Sequence, residues 1–175
     1  GEGGMITTNS KKLYEKAKSL KNLGYGKKNR FQHELIGFNY RMSNLNASIG
    51  LAKLENINST IKEKKRIYLR YKKNLKSLKS IYIPKIKKWT TKYIMWVFNL
   101  HLTNECRLTR DTLVKKLWKN KIETRDSFIP INKQRTILKK FKSIKEKDCP
   151  NANYIMKRGF YLPSGNTLSN RDIDL

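Results

Sequence analysis

The sequence predicts an α/β fold that joins amphipathic helices to a short antiparallel sheet, and three observations carry that prediction. Apolar residues recur at helical spacing in several stretches: Leu13, Ala17 and Leu20 in one, and Leu113, Val114, Leu117 and Trp118 in another. Over residues 93–102 the period drops to two, with Ile94, Trp96, Phe98, Leu100 and Leu102 alternating with a face that turns polar at Asn99 and His101. That alternation suits an antiparallel strand with one face on a core. The 175 residues are 38% hydrophobic and include three tryptophans, enough to bury a core in one domain or one and a half.

In chain order, Gly1-Glu2-Gly3-Gly4 reads as a tight turn and residues 5–8 as a short strand. Asn9 or Ser10 can cap a helix over residues 11–22, which Gly24 stops in the manner of a glycine just past a helix end. Residues 25–35 are a polar loop holding His33, where a lone histidine reads as a hydrogen-bonding residue rather than a catalyst. From Ser43 one long helix is expected as far as residue 78, with Leu54, Ile57, Ile61, Tyr68, Tyr71, Leu75 and Leu78 on its apolar side. Residues 81–83 form a strand ended by Pro84, and residues 93–102 a stronger one, with His101 on its solvated face. Thr109 caps a helix to residue 120, helped by Asp111 near the positive end of its dipole. Residues 122–131 read as a strand or extended loop, 133–147 as weakly helical and 151–160 as a short helix. Ser169 caps a last helix.

The stretch that organises the chain is residues 37–54, GFNYRMSNLNASIGLAKL. Gly37 permits a turn that residues with a Cβ resist. Asn39, Tyr40 and Arg41 then set an amide, a phenol and a guanidinium side by side, and Ser43 can accept a free amide hydrogen of the helix that follows. Polar donors at such a junction fit a binding site, and they also fit an ordinary capped helix. Further on, Arg125 and Asp126 sit beside Phe128 and Pro130. An arginine in an apolar segment pairs with a carboxylate or a phosphate; a plain surface pair with Asp126 fits equally well.

The chain carries 40 Lys and Arg against 13 Asp and Glu, a formal net charge of +27. The excess is mostly lysine, spread throughout and accompanied by much Asn and Ile, as an AT-rich genome produces without selection for a ligand. Lys27, Lys28 and Arg30 form one small cluster and residues 62–66 another, but no block is set off from the rest. Zinc-finger spacing and aromatic RNA-binding signatures are missing. We read these charges as a solvated face whose field steers anionic substrates, not as a nucleic-acid site. No apolar run approaches the roughly 20 residues that span a bilayer, and no signal peptide is visible. Cys106 and Cys149 lie far apart without metal-ligand spacing, which fits a reducing, cytoplasmic setting.

The order GEGGM, then GFNYRMSNLNASIGLAKLE, TRDTLVKKL, IETR with IP, and YLPSG with LSNRDID resembles the DegT/DnrJ/EryC1/StrS-type sugar aminotransferases, perosamine synthases among them. These are pyridoxal 5'-phosphate (PLP) enzymes of fold type I that aminate nucleotide-linked keto-sugars. The resemblance covers the whole chain and corresponds to the C-terminal half of such an enzyme. It implies that residues 1–42 are the tail of the large cofactor domain, 43–78 a bridging long helix, and 79–175 a smaller C-terminal α/β domain with a short antiparallel sheet. Gly1 stands where Met would open a chain, and the last helix has no closing signal, so a piece is expected to be missing at each end.

The resemblance also assigns roles. The lysine that forms the Schiff base is expected upstream of Gly1, so no catalytic residue is assigned within the chain, and the chain alone is expected to be inactive. Asn39 matches the asparagine that reaches the cofactor phosphate of the partner subunit in a homodimer. Tyr40 and Arg41 line the same region, with Arg41 placed for an anionic group. The Pro-Leu-His triplet found beside the sugar pocket is here Pro130-Ile131-Asn132. Asn132 can hydrogen-bond a hydroxyl but cannot shuttle protons, so the resemblance leaves the sugar open. The implied reaction takes an amino group from glutamate to a nucleotide sugar for surface polysaccharide or glycan biosynthesis. A PLP- or PMP-dependent sugar dehydratase of the same family and a basic nucleic-acid-binding protein are the alternatives. Apolar surface left bare by the missing half is expected to drive dimerisation or aggregation.

Overall fold

A computed structural model describes residues 2–26, 29 and 31–175. Gly1 and the Lys27, Lys28 and Arg30 cluster lie outside the described residues. The chain divides into two compact units, residues 1–58 and 59–175.

The first unit begins with residues 2–8; the strand expected over 5–8 does not form, and among the described residues none joins 5–8 in a ladder. Helix α1 (Lys11–Lys21) is capped by Ser10, whose Oγ accepts from the Leu13 amide at 3.3 Å. Leu23 and Gly24 then turn left-handed, with φ of 63° and 71°. Helix α2 (Asn44–Glu55) starts at the Ser43 cap, where Oγ accepts from the Asn46 amide at 3.2 Å. No hydrophobic side chain among the described residues of this unit is buried, and Leu45, Ile49, Leu51 and Leu54 of α2 are all more than half exposed. A helix this apolar on every side belongs in an interior.

The single long helix expected from Ser43 is two helices. Asn56 Nδ2 donates to the Ala52 carbonyl at 3.0 Å, taking the acceptor its own backbone amide uses in a continuous helix. Helix α3 (Ile57–Leu75) follows.

The second unit is a four-stranded antiparallel sheet with α3 packed on one face. Strands β1 (Ile81–Tyr82), β2 (Phe98–Leu102), β3 (Arg125–Asp126) and β4 (Gly159–Leu162) stand in the order β1-β2-β4-β3. The pairs Ile81 with Leu102 and Phe98 with Leu162 set the register. Extending these ladders would bring Pro84 opposite Asn99 and Pro163 opposite Val97. Neither proline has an amide hydrogen to give. The β2–β4 ladder ends at the Phe98–Leu162 pair, next to Pro163, and the β1–β2 ladder ends before Pro84, at Tyr82–His101, so the strand expected over 93–102 begins only at Phe98. Strand β4 was not legible; residues 151–160 read as one helix, whereas α6 (Pro150–Arg158) ends at Gly159 and the strand starts. Helices α4 (Arg110–Lys119), α5 (Arg135–Lys140) and α7 (Asn170–Asp174) complete the unit, α4 and α7 starting at the predicted Thr109 and Ser169 caps.

The core lies between α3 and the sheet: Ile67, Tyr68 and Tyr71 meet Met95, Phe98, Leu100, Leu102, Phe160 and, from α7, Ile173. The alternation of β2 puts Phe98, Leu100 and Leu102 on this side and Asn99 and His101 on the other. Polar arms from α3 hold the C-terminal segment. Arg66 donates to the Leu168 carbonyl and, at 2.6 Å, to Asn170 Oδ1. Tyr71 donates to the Pro163 carbonyl at 2.9 Å. Arg70 and Asn74 both hold the Asp174 carboxylate.

Candidate functional site

In the first unit the left-handed turn at Gly24 folds residues 37–41 back along the end of α1. The Phe38 and Tyr40 amides donate to the Leu20 and Lys21 carbonyls at 2.7 and 2.9 Å, and Phe38 returns a carbonyl to Leu23 at 3.0 Å. Helix-end carbonyls that α1 itself cannot satisfy are thus met by this segment. Phe38 and Tyr40 stack on one side, with ring centroids 5.2 Å apart. Asn39, between them, projects its amide outward, because neighbouring residues of an extended segment alternate sides.

Asn39, Tyr40 and Arg41 are brought together and all are exposed, Tyr40 by 72%. The junction is therefore not buried within this chain. Asn39 Oδ1 accepts from Arg41 Nε at 3.3 Å, and among the described residues Asn39 Nδ2 donates to none. A free amide N–H beside a guanidinium is a donor set for an anion. His33 is structural: its Nδ1 donates to the Leu23 carbonyl at 2.7 Å, its ring lies 4.9 Å from that of Tyr25, and it steadies the loop after α1.

In the second unit, Arg125 lies on edge strand β3, 80% exposed at its side chain, and pairs with Glu123 at 3.3 Å. The Asp126 pair suggested by sequence does not form. Asp126 lies opposite Phe160, on the other side of the sheet from Arg125, and is 3.7 Å from Arg110. Arg110 lines an open cavity of about 440 Å³ with Ser127 and Lys157. Its guanidinium is held by Asp111 and by the Met156 carbonyl, which makes it a brace between α4 and α6. Asn132 is only 4% exposed, and its Nδ2 donates to Asn153 Oδ1 at 3.2 Å, so its amide is engaged inside the unit.

His101, expected to be solvated, is half-buried. It stacks on Tyr82 at 4.8 Å and meets the edge of Tyr154 at 5.7 Å, while the Arg158 guanidinium caps the Tyr154 ring at 5.0 Å. Burial first, and then the Arg158 charge, lowers its pKa. Burial likewise lowers that of Lys64, whose ammonium donates to the Trp96 and Ser164 carbonyls at 3.0 and 2.6 Å. These contacts were hidden in the sequence because they join residues far apart in the chain. Among the described residues, no group of three or more His, Cys, Asp or Glu could hold a metal, and no helix is long and apolar enough to cross a membrane.

A family model described as the DegT/DnrJ/EryC1/StrS aminotransferase family matches residues 1–175. The chain belongs to that family. Its similarity to GDP-perosamine synthase of Escherichia coli O157:H7 is 34% identity over 173 residues, covering 99% of this chain and 45% of the relative. To GDP-perosamine synthase of Vibrio cholerae it is 36% over 165 residues, covering 94% and 43%. The chain thus spans less than half the length of these family members. Among solved structures, the aminotransferase TlmJ from Streptoalloteichus hindustanus superposes with a TM-score of 0.80 at 19% identity, over 95% of this chain and 43% of that one. PseC of Helicobacter pylori, an aminotransferase involved in the biosynthesis of pseudoaminic acid, does so with 0.77 at 20%, over 95% and 44%. At such identities the likeness concerns the fold, and the expected aminotransferase α/β architecture with its short antiparallel sheet is the one observed. The dehydratase and nucleic-acid alternatives are not favoured.

Proposed function

We propose that the protein carrying this chain is a PLP-dependent aminotransferase that moves an amino group from glutamate to the keto carbon of a nucleotide-linked sugar, acting as a homodimer in the cytoplasm. The family match over all 175 residues, with GDP-perosamine synthases among the relatives, carries this reading. Residues 1–42 would end the large cofactor domain, the helical stretch 43–78 would bridge, and residues 79–175 would be the small domain.

Asn39 supports the cofactor assignment. Its exposed amide and idle Nδ2 suit donation to a phosphate oxygen of a second subunit's cofactor, and a neutral donor adds no charge to be buried. Arg41, which already holds Asn39 Oδ1, would orient that amide and add positive potential nearby. Bound PLP supplies the electron sink for amino transfer. Arg125, exposed and paired only at the surface, is free to exchange Glu123 for an anionic part of the substrate. Tyr40 would contribute a phenol to the same lining. Asn132 would reach a sugar hydroxyl only by releasing Asn153.

The test is an assay of the whole gene product with PLP, glutamate and a nucleotide-linked 4-keto-sugar, following the visible absorbance of the cofactor and the aminated sugar by mass spectrometry. Glutamate-dependent formation of the amino sugar is expected. Bound PLP with dehydrated, unaminated product would overturn the reading in favour of the dehydratase.

A further inference from the structure

The loop that joins β1 to β2, residues 83–97, carries a basic turn with an exposed indole at its corner. The strand β1 ends ahead of Pro84. Further on, the Thr90 amide donates to the Lys87 carbonyl at 3.0 Å, closing a tight turn whose central residues are Lys88 and Trp89. Trp89 is 81% exposed and Ile86 42%. Among the described residues no ring or cation stacks on Trp89. Lys85, Lys87, Lys88 and Lys92 are all exposed, and among the described residues none of them is in an ion pair. The sequence holds no acidic residue between Glu63 and Glu105 to offset them.

The loop is rooted in the core, so the turn is presented rather than loose. On the β2 side Met95 is buried with the core residues, and the Tyr93 ring lies 5.3 Å from that of Tyr68 on α3. Apolar side chains held in water and rimmed by charge mark a surface that meets a partner. Here the partner's chemistry follows from the side chains. An indole has an apolar body and one polar N–H, a combination that settles at the headgroup level of a bilayer. Lysines beside it are drawn to anionic headgroups within a Debye length of the surface. Weak apolar insertion and a basic cluster hold a protein on a membrane only when they act together, and no spanning helix is needed. A nucleic acid fits less well, because it calls for a groove along its backbone and rings on which successive bases stack. One indole at the corner of a turn provides neither.

We propose that the 84–92 turn docks the protein on the surface of an anionic lipid bilayer. Trp89 and Ile86 enter the headgroup layer, and Lys85, Lys87, Lys88 and Lys92 face the lipid phosphates. The net charge of +27 attracts such a surface from a distance, and the turn decides which part of the protein lands on it. The docking goes beyond the aminotransferase reading and does not rest on it.

The experiment mixes the whole gene product with phosphatidylcholine vesicles, with and without phosphatidylglycerol, and follows co-sedimentation and tryptophan emission. Binding is expected only with phosphatidylglycerol, with a blue shift of the emission and a loss of binding in high salt. Trp89→Ala should abolish most of the blue shift and weaken binding about tenfold. The double variant Lys87→Gln with Lys88→Gln should weaken it about thirtyfold. The double variant Lys115→Gln with Lys119→Gln removes the same charge from α4 and should have a much smaller effect. Circular dichroism confirms that each variant is folded, and amino transfer in solution should be unchanged in all of them. Lack of binding to either vesicle overturns the proposal, and so does an α4 variant that loses as much as the turn variant, which would mean diffuse charge. A single-stranded oligonucleotide that displaces the protein from vesicles, and whose own binding is lost in the turn variants, overturns it in favour of nucleic acid. Protection of residues 84–92 from hydrogen exchange without vesicles, equal to that with them, overturns it in favour of cover by another part of the protein. Each of these outcomes leaves the aminotransferase reading to its own assay.

Discussion

Gly24 and Gly37 pass each other in direct backbone contact. A Cβ on Gly37 would overlap the Gly24 amide nitrogen, and one on Gly24 would overlap the Leu35 carbonyl oxygen. Gly24 also sits at φ 71°, a conformation that side chains resist. This crossing lays residues 38–40 along the end of α1 and so aims Asn39 outward.

Gly37→Ala and Gly24→Ala should each destabilise the whole protein by about 1–3 kcal/mol, since the neighbours that must move are backbone. Gly165→Ala, whose added Cβ would meet only Thr167 Oγ1 at 3.9 Å, should change stability by less than about 0.5 kcal/mol. Urea denaturation midpoints compare the three.

Asn39→Ala should weaken PLP binding about tenfold, the loss of one hydrogen bond to a charged group. Asn39→Asp should weaken it further, because a carboxylate would face the phosphate. Stability should change little in either variant, since the side chain is exposed and, among the described residues, bonded only to Arg41. Cofactor titrations monitored by absorbance give both affinities.

Ile67→Ala should cost about 2–5 kcal/mol, because Ile67 is 0% exposed between α3 and the sheet and its removal leaves a cavity. Thermal unfolding of the variant against the parent measures it.

His101 ties stability to pH. Its folded pKa lies below the ordinary value of 6.5, through burial and then through Arg158. Above that ordinary value the ring is neutral in both states and nothing is lost. As pH falls through it, the unfolded chain takes up the proton first, and stability declines until the folded ring is protonated too. The Tm should therefore fall between about pH 7.5 and pH 5.5, and His101→Phe should flatten that slope.

Asp174 acts at the other end of the scale. Hydrogen bonds from Arg70 and then Asn74 hold its pKa down to about 2. With a folded value below the ordinary 3.8, its contribution is fully present above the ordinary value and is lost as pH falls towards about 2. Asp174→Asn should show less loss of stability than the parent between these limits. Added salt should shrink the difference, because the pair is open to solvent. Denaturation curves at pH 5 and pH 2.5, with and without salt, check both statements.

Local chemistry alone determined much of this protein. Ser10, Ser43, Thr109 and Ser169 each cap the helix expected of them, because a hydroxyl meets an amide only two or three residues away. The apolar alternation of Phe98, Leu100 and Leu102 named the core strand, and the NYR and GEGG segments were enough for the family. What the sequence could not disclose depended on distant partners. Residues 5–8 have strand composition but no ladder to join, while β4 hides in a helical pattern and becomes the second central strand because β2 and β3 flank it. The break at Asn56, the Lys64 bridge and the choice of Glu123 over Asp126 for Arg125 were likewise decided in three dimensions. The physical reason is range: caps and stripes are settled within a turn or two of chain, whereas strand pairing and buried charge depend on groups that only folding brings within reach.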